Sequence, residues 1–171
     1  MASYYGMISE IDNGIGTILQ KLKEKGLYDN TMIIFTSDHG DYMSYHHMML
    51  KGRHLYDPLI KIPLIVKYPG QQDAGQTDSF LSENIDVAPT VLELCGQPIP
   101  PTMQGHSLLG NDHRQFAFSE LQFGSQTNSK IGYMLRSDSY KLLVYGNMQD
   151  CVFYDLKKDP FELHDVSKEP D

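Results

Sequence analysis

The sequence predicts an α/β fold followed by a small antiparallel β subdomain. An amphipathic helical pattern over residues 4–25 leads into a continuous apolar run over residues 31–36, and a second apolar run covers residues 62–67. After residue 110 the pattern changes to short alternating segments separated by turn residues. We therefore expect an α/β part over residues 1–110 and the antiparallel subdomain over residues 111–171.

Each predicted element has a local signal. The first helix has apolar side chains at steps of three and four residues, namely Ile8, Ile11, Ile15, Ile18, Leu19 and Leu22. The two apolar runs are typical of strands buried on both faces of a parallel sheet, which expect neighbours on each side. A short helix is predicted over residues 86–95. The predicted strands of the subdomain cover residues 116–121, 131–136, 140–145 and 151–154.

Composition excludes two classes of partner. The protein has 171 residues and a formal net charge of −8, from 22 acidic and 14 basic residues. Nucleic-acid-binding proteins usually carry a basic stripe, and the sequence has none. Its longest apolar runs are far shorter than the roughly 20 residues that cross a bilayer. We expect neither nucleic acid nor membrane as a partner, so an anionic ligand would need a local metal or lysine.

The segment Ser37-Asp38-His39-Gly40-Asp41 directly follows the first predicted strand. In open α/β sheets the ligand site lies beyond the carboxyl ends of the strands. Asp38 offers a hard anionic oxygen and His39 a borderline nitrogen, and both suit a divalent cation. An aspartate and a histidine at a strand end also serve as caps or hydrogen-bond partners, so the segment alone leaves both interpretations open.

The loop that follows is rich in cationic and imidazole side chains. It contains His46, His47, Lys51, Arg53 and His54. A metal ion together with a lysine is suited to hold a tetrahedral dianion such as sulfate or phosphate, because the metal polarises one oxygen and the ammonium neutralises another. A solvated basic loop is the alternative that composition leaves open.

Taken together, these motifs resemble the sulfatase family of the alkaline-phosphatase-like superfamily. The matching positions are Ser37–Asp41, His46, Lys51-Gly52, Tyr56-Asp57, Ile62–Ile65 and Pro69-Gly70. Further matches are Asp86–Leu92, Gln104–Leu108, Tyr140–Leu142, Tyr154–Leu156, Asp159-Pro160 and Glu162-Leu163. The resemblance implies part of an alkaline-phosphatase-like parallel or mixed sheet with flanking helices, followed by the antiparallel subdomain.

The resemblance also implies roles for individual residues. Asp38 and His39 would bind a divalent metal, with Ca²⁺ expected, and Lys51 would be catalytic and contact a sulfate oxygen. His46 would be a second catalytic-site residue or would make structural hydrogen bonds, because Ser44-Tyr45 replaces the Gly-Glu that precedes this histidine in the family. His54 and Arg53 would face the substrate or lie exposed in the loop. We expect Asp41 to orient or cap rather than bind the ion.

The sequence lacks the family's nucleophile. Sulfatases use a formylglycine made from Cys or Ser in a C/S-x-P-x-R motif, and no such motif occurs among the 171 residues. The aspartates of the family's first strand are absent as well. The sequence therefore predicts a fragment that carries part of the metal and sulfate site, is inactive alone and requires the missing N-terminal segment. We also expect exposed apolar surface on the isolated chain, to be covered either by self-association into a homo-oligomer or by that upstream segment.

Two other functions fit the same residues. A phosphonate monoester hydrolase or phosphodiesterase of the same superfamily is one, because His39 stands where many sulfatases have Asn. A non-catalytic remnant or assembly subunit that keeps only the shape of the site is the other. The expected substrate is a sulfate ester of a small molecule or glycan. Relatives are commonly periplasmic, secreted or lysosomal, and the sequence does not choose among these locations.

Overall fold

A computed structural model describes residues 2–110, 113–125, 128–146 and 150–169. The helices are α1 (Ala2–Glu24), α2 (Asp57–Ile60) and α3 (Val87–Leu94), and the strands are β1 (Ile33–Thr36), β2 (Leu64–Lys67), β3 (Ala117–Ser125), β4 (Asn128–Arg136), β5 (Tyr140–Tyr145) and β6 (Cys151–Asp155). Every helix and strand predicted from the sequence is therefore confirmed, and α2 is an addition.

Packing divides the chain into two units. The first consists of Met1–Thr36 with Pro63–Thr77, and the second of Ser37–Ile62 with Asp78–Asp171. The boundary that the sequence predicts at residue 110 lies within the second unit and stays a prediction.

In the first unit β1 pairs with β2 in antiparallel register, with Ile33 opposite Lys67 and Thr36 opposite Leu64. The expectation that these runs mark parallel strands is therefore wrong for this pair. A continuous apolar run carries no information about strand direction, and here it does not mark burial on both faces either, since Phe35 is 39% and Ile65 63% exposed. Lys67 connects β2 to the loop that precedes β1, because its ammonium donates to the carbonyls of Tyr28 at 2.7 Å and Thr31 at 3.1 Å.

Helix α1 has an apolar stripe, as predicted, but none of its described residues is buried. The exposed side chains include Tyr5, Met7, Ile8, Ile11 and Ile18, at 48 to 63% of their full accessibility. The predicted exposed apolar surface is thus confirmed, whereas the homo-oligomer stays a prediction. Among the described residues, no helix combines the length and apolar character needed to cross a membrane.

In the second unit the four C-terminal strands form one antiparallel sheet in the order β3-β4-β5-β6. This confirms the predicted antiparallel subdomain. Its inner face carries Met134, Leu143 and Tyr154, which pack with Leu55 and Leu156 into the main apolar cluster. Because Leu55 precedes α2 in the chain, this core fixes the loop that carries the candidate site against the sheet.

Helix α3 is tied to the extended segment that follows it. The Asp86 carboxylate accepts a hydrogen bond from the His106 N–H at 2.8 Å. The Thr90 hydroxyl donates to the Asp86 carbonyl at 2.5 Å and accepts from the Leu108 N–H at 2.9 Å. Two motifs that the sequence analysis singled out, 86–92 and 104–108, are therefore structural partners of each other.

Candidate functional site

The segment Ser37–Asp41 forms a turn held by its own side chains. The Ser37 hydroxyl donates to the His39 carbonyl at 2.8 Å, and the His39 N–H donates to Asp38 Oδ1 at 2.9 Å. Asn84 donates to the Ser37 carbonyl at 3.0 Å from outside the turn. The Asp38 side chain is 86% exposed, and the hydrogen bond from the His39 N–H lowers its pKa. Asp38 therefore presents an ionised carboxylate to solvent.

Gly40 brings this turn against helix α2. Its N–H donates to the Leu59 carbonyl at 2.7 Å, and a Cβ at this position would lie 2.0 Å from the Pro58 carbonyl oxygen. No real Cβ tolerates that separation from a backbone atom. The structure therefore requires glycine at position 40, because another backbone approaches it so closely.

His39 and Lys51 are in direct contact. His39 Nδ1 lies 2.8 Å from the Gly40 carbonyl oxygen, which only accepts, so Nδ1 carries the proton. Nε2 is then free to accept from the Lys51 ammonium at 3.0 Å, and it lies 3.6 Å from Asp38 Oδ2. The structure thus gathers Asp38, His39 and Lys51, three of the residues predicted for the site.

The other predicted histidines lie together around Tyr56. The His46 ring stacks on the Tyr56 ring with centroids 4.3 Å apart and planes 7° apart, and His54 stacks on Tyr56 at 5.7 Å. The Tyr42 hydroxyl donates to the His54 carbonyl at 2.7 Å and accepts from its N–H at 2.9 Å. His46 Nε2 is buried without a hydrogen-bond partner in the described part of the chain. The His46 ring is therefore held by its stacking on Tyr56, and its Nε2 makes no hydrogen bond to the described residues.

The remaining predicted residues differ in exposure. Arg53 is exposed in the loop, which fits both sequence expectations, a substrate-facing residue and an exposed loop residue. Asp41 Oδ1 is buried, and it too has no hydrogen-bond partner among the described residues. The expectation that Asp41 orients or caps its neighbours therefore finds no support from this oxygen.

Comparison of the sequence with known protein families identifies the family to which the chain belongs. The family described as N-sulphoglucosamine sulphohydrolase, C-terminal, matches residues 45–171. The chain belongs to the sulfatase family. The type I phosphodiesterase / nucleotide pyrophosphatase family matches the preceding part, residues 3–51.

Individual relatives match nearly the whole chain. It is 33% identical to the N-acetylglucosamine-6-O-sulfatase of Bacteroides thetaiotaomicron over 97% of its length and 32% of that protein. It is similar, at 32% identity and a TM-score of 0.85, to a protein solved in complex with its substrate D-glucosamine-2-N,6-O-disulfate, covering 95% of this chain and 35% of that one. The phosphonate monoester hydrolase of Agrobacterium radiobacter matches at 29% identity and a TM-score of 0.85, over 97% and 36%. The chain spans about a third of the length of these relatives.

The donor atoms at Asp38 and His39 suit part of a cation site. Carboxylate oxygens and an imidazole nitrogen are ordinary ligands, but Ca²⁺ takes about 6–8 oxygens. In the described ranges no three His, Cys, Asp or Glu side chains gather closely enough to hold a metal ion. The two residues therefore offer part of a ligand set, but in this structure the one lone pair of His39 Nε2 accepts from Lys51, so this nitrogen would bind a cation only after the ammonium moves to another partner.

The sequence did not indicate that a buried ion cluster exists, although the positions of this cluster belong to the family motifs. Lys141 and Glu162 are 0% exposed, and the Lys141 ammonium lies 2.5 Å from Glu162 Oε1 and 2.9 Å from Asp57 Oδ1. Burial raises the pKa of Glu162. A lysine at an inward position of an alternating strand was the available signal. We call Lys141, Asp57 and Glu162 the ion cluster.

The His54 ring predicts a pH effect on stability. Burial lowers the pKa of His54, and the charges of Arg53 and His46 add to the effect. The unfolded chain thus takes up this proton at a higher pH than the folded chain, so stability falls as the pH drops below about 6.5. His54→Phe keeps a ring against Tyr56 and should reduce the loss between pH 7.5 and 5.5 by less than about 1 kcal/mol, because the site is only half-buried. Urea denaturation at both pH values measures it, and equal losses in both proteins would contradict it.

Proposed function

We propose that this chain is the C-terminal part of a sulfuric ester hydrolase, in which Asp38, His39 and Lys51 form one side of the metal and sulfate site. The observation that carries the proposal is the contact of Lys51 Nζ with His39 Nε2 at 3.0 Å, with Asp38 Oδ2 3.6 Å from the same nitrogen. A lysine, an imidazole and an ionised carboxylate at one point supply both an anion-binding and a cation-binding group.

Each residue has a distinct task in this proposal. The Lys51 ammonium neutralises a non-bridging sulfate oxygen as negative charge moves to the leaving group. Asp38 and His39 hold a divalent cation, proposed to be Ca²⁺, which when bound supplies Lewis-acid polarisation of a sulfate oxygen. The hydrogen bond from Nδ1 to the Gly40 carbonyl keeps His39 in the tautomer whose Nε2 is an acceptor.

Catalysis needs a nucleophile that the 171 residues do not contain, since they lack a C/S-x-P-x-R motif. We therefore propose that this chain alone is inactive and that a formylglycine on an N-terminal segment completes the site. The remaining ligands of the cation would come from the same segment.

The proposed substrate is a sulfate ester carried by a small molecule or glycan. A relative of 32% identity was solved with a sulfated glucosamine, which supports a sulfated sugar as the class. His54, stacked on Tyr56, and the exposed Arg53 are the proposed contacts to the part of the substrate that bears the sulfate.

A phosphonate monoester hydrolase is the second candidate function. The similarity to the enzyme of Agrobacterium radiobacter, with a TM-score of 0.85, favours it. The ratio of activities on an aryl sulfate and on a phosphodiester separates the two candidates, because they share the same anion-binding residues.

The gene upstream of the Ser3 codon tests the proposal first. A C/S-x-P-x-R motif there supports it, and the longer protein should hydrolyse an aryl sulfate. Its Lys51→Met variant should lose about 100- to 1,000-fold in kcat/KM, because an unneutralised oxygen destabilises the transition state. The exposed Lys157→Met is the matched control and should keep full activity. Equal activities of the two variants would refute the role of Lys51, and an upstream sequence without the motif would favour the non-catalytic remnant or assembly subunit.

A further inference from the structure

We infer that the ion cluster of Lys141, Asp57 and Glu162 positions the Asp38–His39–Lys51 site, acting through helix α2 and Gly40. A role of the cluster in metal and sulfate binding rests on the proposed function. The chain of contacts from the cluster to His39 does not depend on that function. All of its members lie in the second unit of the chain.

The first link joins the sheet to helix α2. Lys141, on β5, pairs with the carboxylate of Asp57 at 2.9 Å. Glu162 Oε2 accepts from the backbone N–H of Asp57 at 2.8 Å. Asp57 is the first residue of α2, so both its side chain and its main chain are fixed by the cluster. Arg136 adds a further contact to the Asp57 carboxylate at 3.4 Å.

The second link joins α2 to the candidate site. The helix is only four residues long, so the position of Asp57 sets that of Leu59. The Leu59 carbonyl accepts from the Gly40 N–H at 2.7 Å, and the Pro58 carbonyl lies where a Cβ of residue 40 would be. Gly40 therefore brings the turn into direct backbone contact with α2, which the absence of a side chain at this position makes possible.

The third link is made by His39. Its Nδ1–H donates to the Gly40 carbonyl at 2.8 Å, and this bond leaves Nε2 facing the Lys51 ammonium. A shift of α2 that releases Gly40 would therefore also release the ring orientation of His39. The chain of contacts runs without a gap from the sheet interior to the imidazole.

Buried ions are an expensive way to gain stability, because removing them from water offsets most of their attraction. Their hydrogen bonds are directional, however, and fix the geometry of the groups they join. If the cluster were purely structural, its removal would lower the stability of all parts of the unit to the same extent. A positioning cluster changes the Gly40 region more than the sheet, and this difference is measurable.

Amide hydrogen exchange on the chain itself, without metal or substrate, tests the inference. Lys141→Met/Glu162→Met removes the pair of charges and the acceptor for the Asp57 N–H. Lys141→Met/Glu162→Gln removes the same charges but keeps an amide oxygen for that N–H. Lys67→Met is the control, because it removes a lysine that donates to backbone carbonyls in the first unit. The readout is the Gly40 amide relative to the amide of Leu143 in the sheet.

We expect exchange at Gly40 to accelerate at least about tenfold more than at Leu143 in the Met/Met variant. The Met/Gln variant should recover most of that protection, and Lys67→Met should leave the ratio unchanged. Equal acceleration of both amides in the two double variants, or an equal change in Lys67→Met, would overturn the inference. Because no ligand takes part, a failure of sulfate hydrolysis leaves this result valid, and the two proposals fail separately.

Discussion

Lys141→Met is expected to lower the free energy of unfolding by about 3–5 kcal/mol. Lys141 is 0% exposed, and its ammonium is the shared partner of the Glu162 and Asp57 carboxylates. Removing it leaves two acidic groups close together, one of them wholly buried. Breaking one partner of such a pair costs far more than the pair contributes, because an uncompensated ion stays inside the fold.

The double variant Lys141→Met/Glu162→Met separates this penalty from the net value of the pair. It removes both buried ions and leaves Asp57 with Arg136, which lies 3.4 Å away. We expect it to be clearly more stable than Lys141→Met, since apolar side chains of similar volume often replace buried ion pairs without loss. Urea denaturation of the three proteins gives the comparison. A double variant as unstable as the single one would show that the stranded charge does not decide the cost, and that lost packing or the lost acceptor for the Asp57 N–H does.

The stability loss caused by Lys141→Met should depend on pH, because Glu162 titrates in the same cluster. Burial already raises the pKa of Glu162 in the folded protein, so the folded state holds this proton up to a higher pH than the unfolded chain. The contribution of Glu162 to stability is fully present at a pH below its pKa in the unfolded chain, about 4.3. It is lost as the pH rises through the higher pKa of Glu162 in the folded protein. Without Lys141 the folded pKa rises further, so Lys141→Met should be less impaired at pH 5 than at pH 7.5.

The regular elements were predictable because their signals are local. Strand β5 runs from Tyr140 to Tyr145, as the alternation of its side chains predicts, and α1 ends within one residue of the predicted end. Helix α2 was missed because four residues beginning Asp57-Pro58 contain no period to detect. The direction of β1 and β2 was missed because an apolar run shows only that its side chains are apolar, and not in which direction the neighbouring strand runs.

The sequence and its resemblance to sulfatases named the residues of the candidate site, but they did not indicate the ion cluster that lies behind it. Asp38 and His39 are adjacent in sequence, and the resemblance to sulfatases supplied Lys51. The ion cluster joins Lys141 to Asp57, 84 residues away, and Glu162 to Asp57, 105 residues away. No local pattern encodes such contacts. Positive φ angles at Met43, Ser44 and His46, none of them glycine, likewise follow from the packing of the loop and not from its composition.

Asp86→Ala is expected to cost a similar amount, about 3–5 kcal/mol, for a related reason. The Asp86 carboxylate is almost fully buried, at 1% exposure, and accepts hydrogen bonds from the N–H groups of Glu83 at 2.7 Å and His106 at 2.8 Å. It also pairs with the guanidinium of Arg114, whose other nitrogen pairs with Glu83 at 2.8 Å. The substitution would leave two partly buried N–H donors and half of the Arg114 guanidinium without this partner.

The effect of Asp86→Ala should extend to the segment that begins at Gly105. A Cβ on Gly105 would lie 2.0 Å from the Ile85 carbonyl oxygen, so this segment is held at the start of α3 by backbone contact and by the Asp86–His106 bond together. Without the carboxylate, the Thr90–Leu108 bond still joins α3 to this segment, but the Asp86–His106 bond is lost. The segment should then become sensitive to limited proteolysis near residue 105.

Three further variants decide whether charge, hydrogen bonding or mere truncation causes the loss. Asp86→Asn keeps the shape and one acceptor oxygen and should fall between wild type and Asp86→Ala. Thr90→Val removes one hydroxyl at a site that stays packed and should cost only about 1–2 kcal/mol. Asp138→Ala, at an exposed turn, should stay within about 0.5 kcal/mol of wild type. Should Asp86→Ala match Asp138→Ala in urea denaturation, the carboxylate would have no structural role, and its place in the family motif would need a functional explanation.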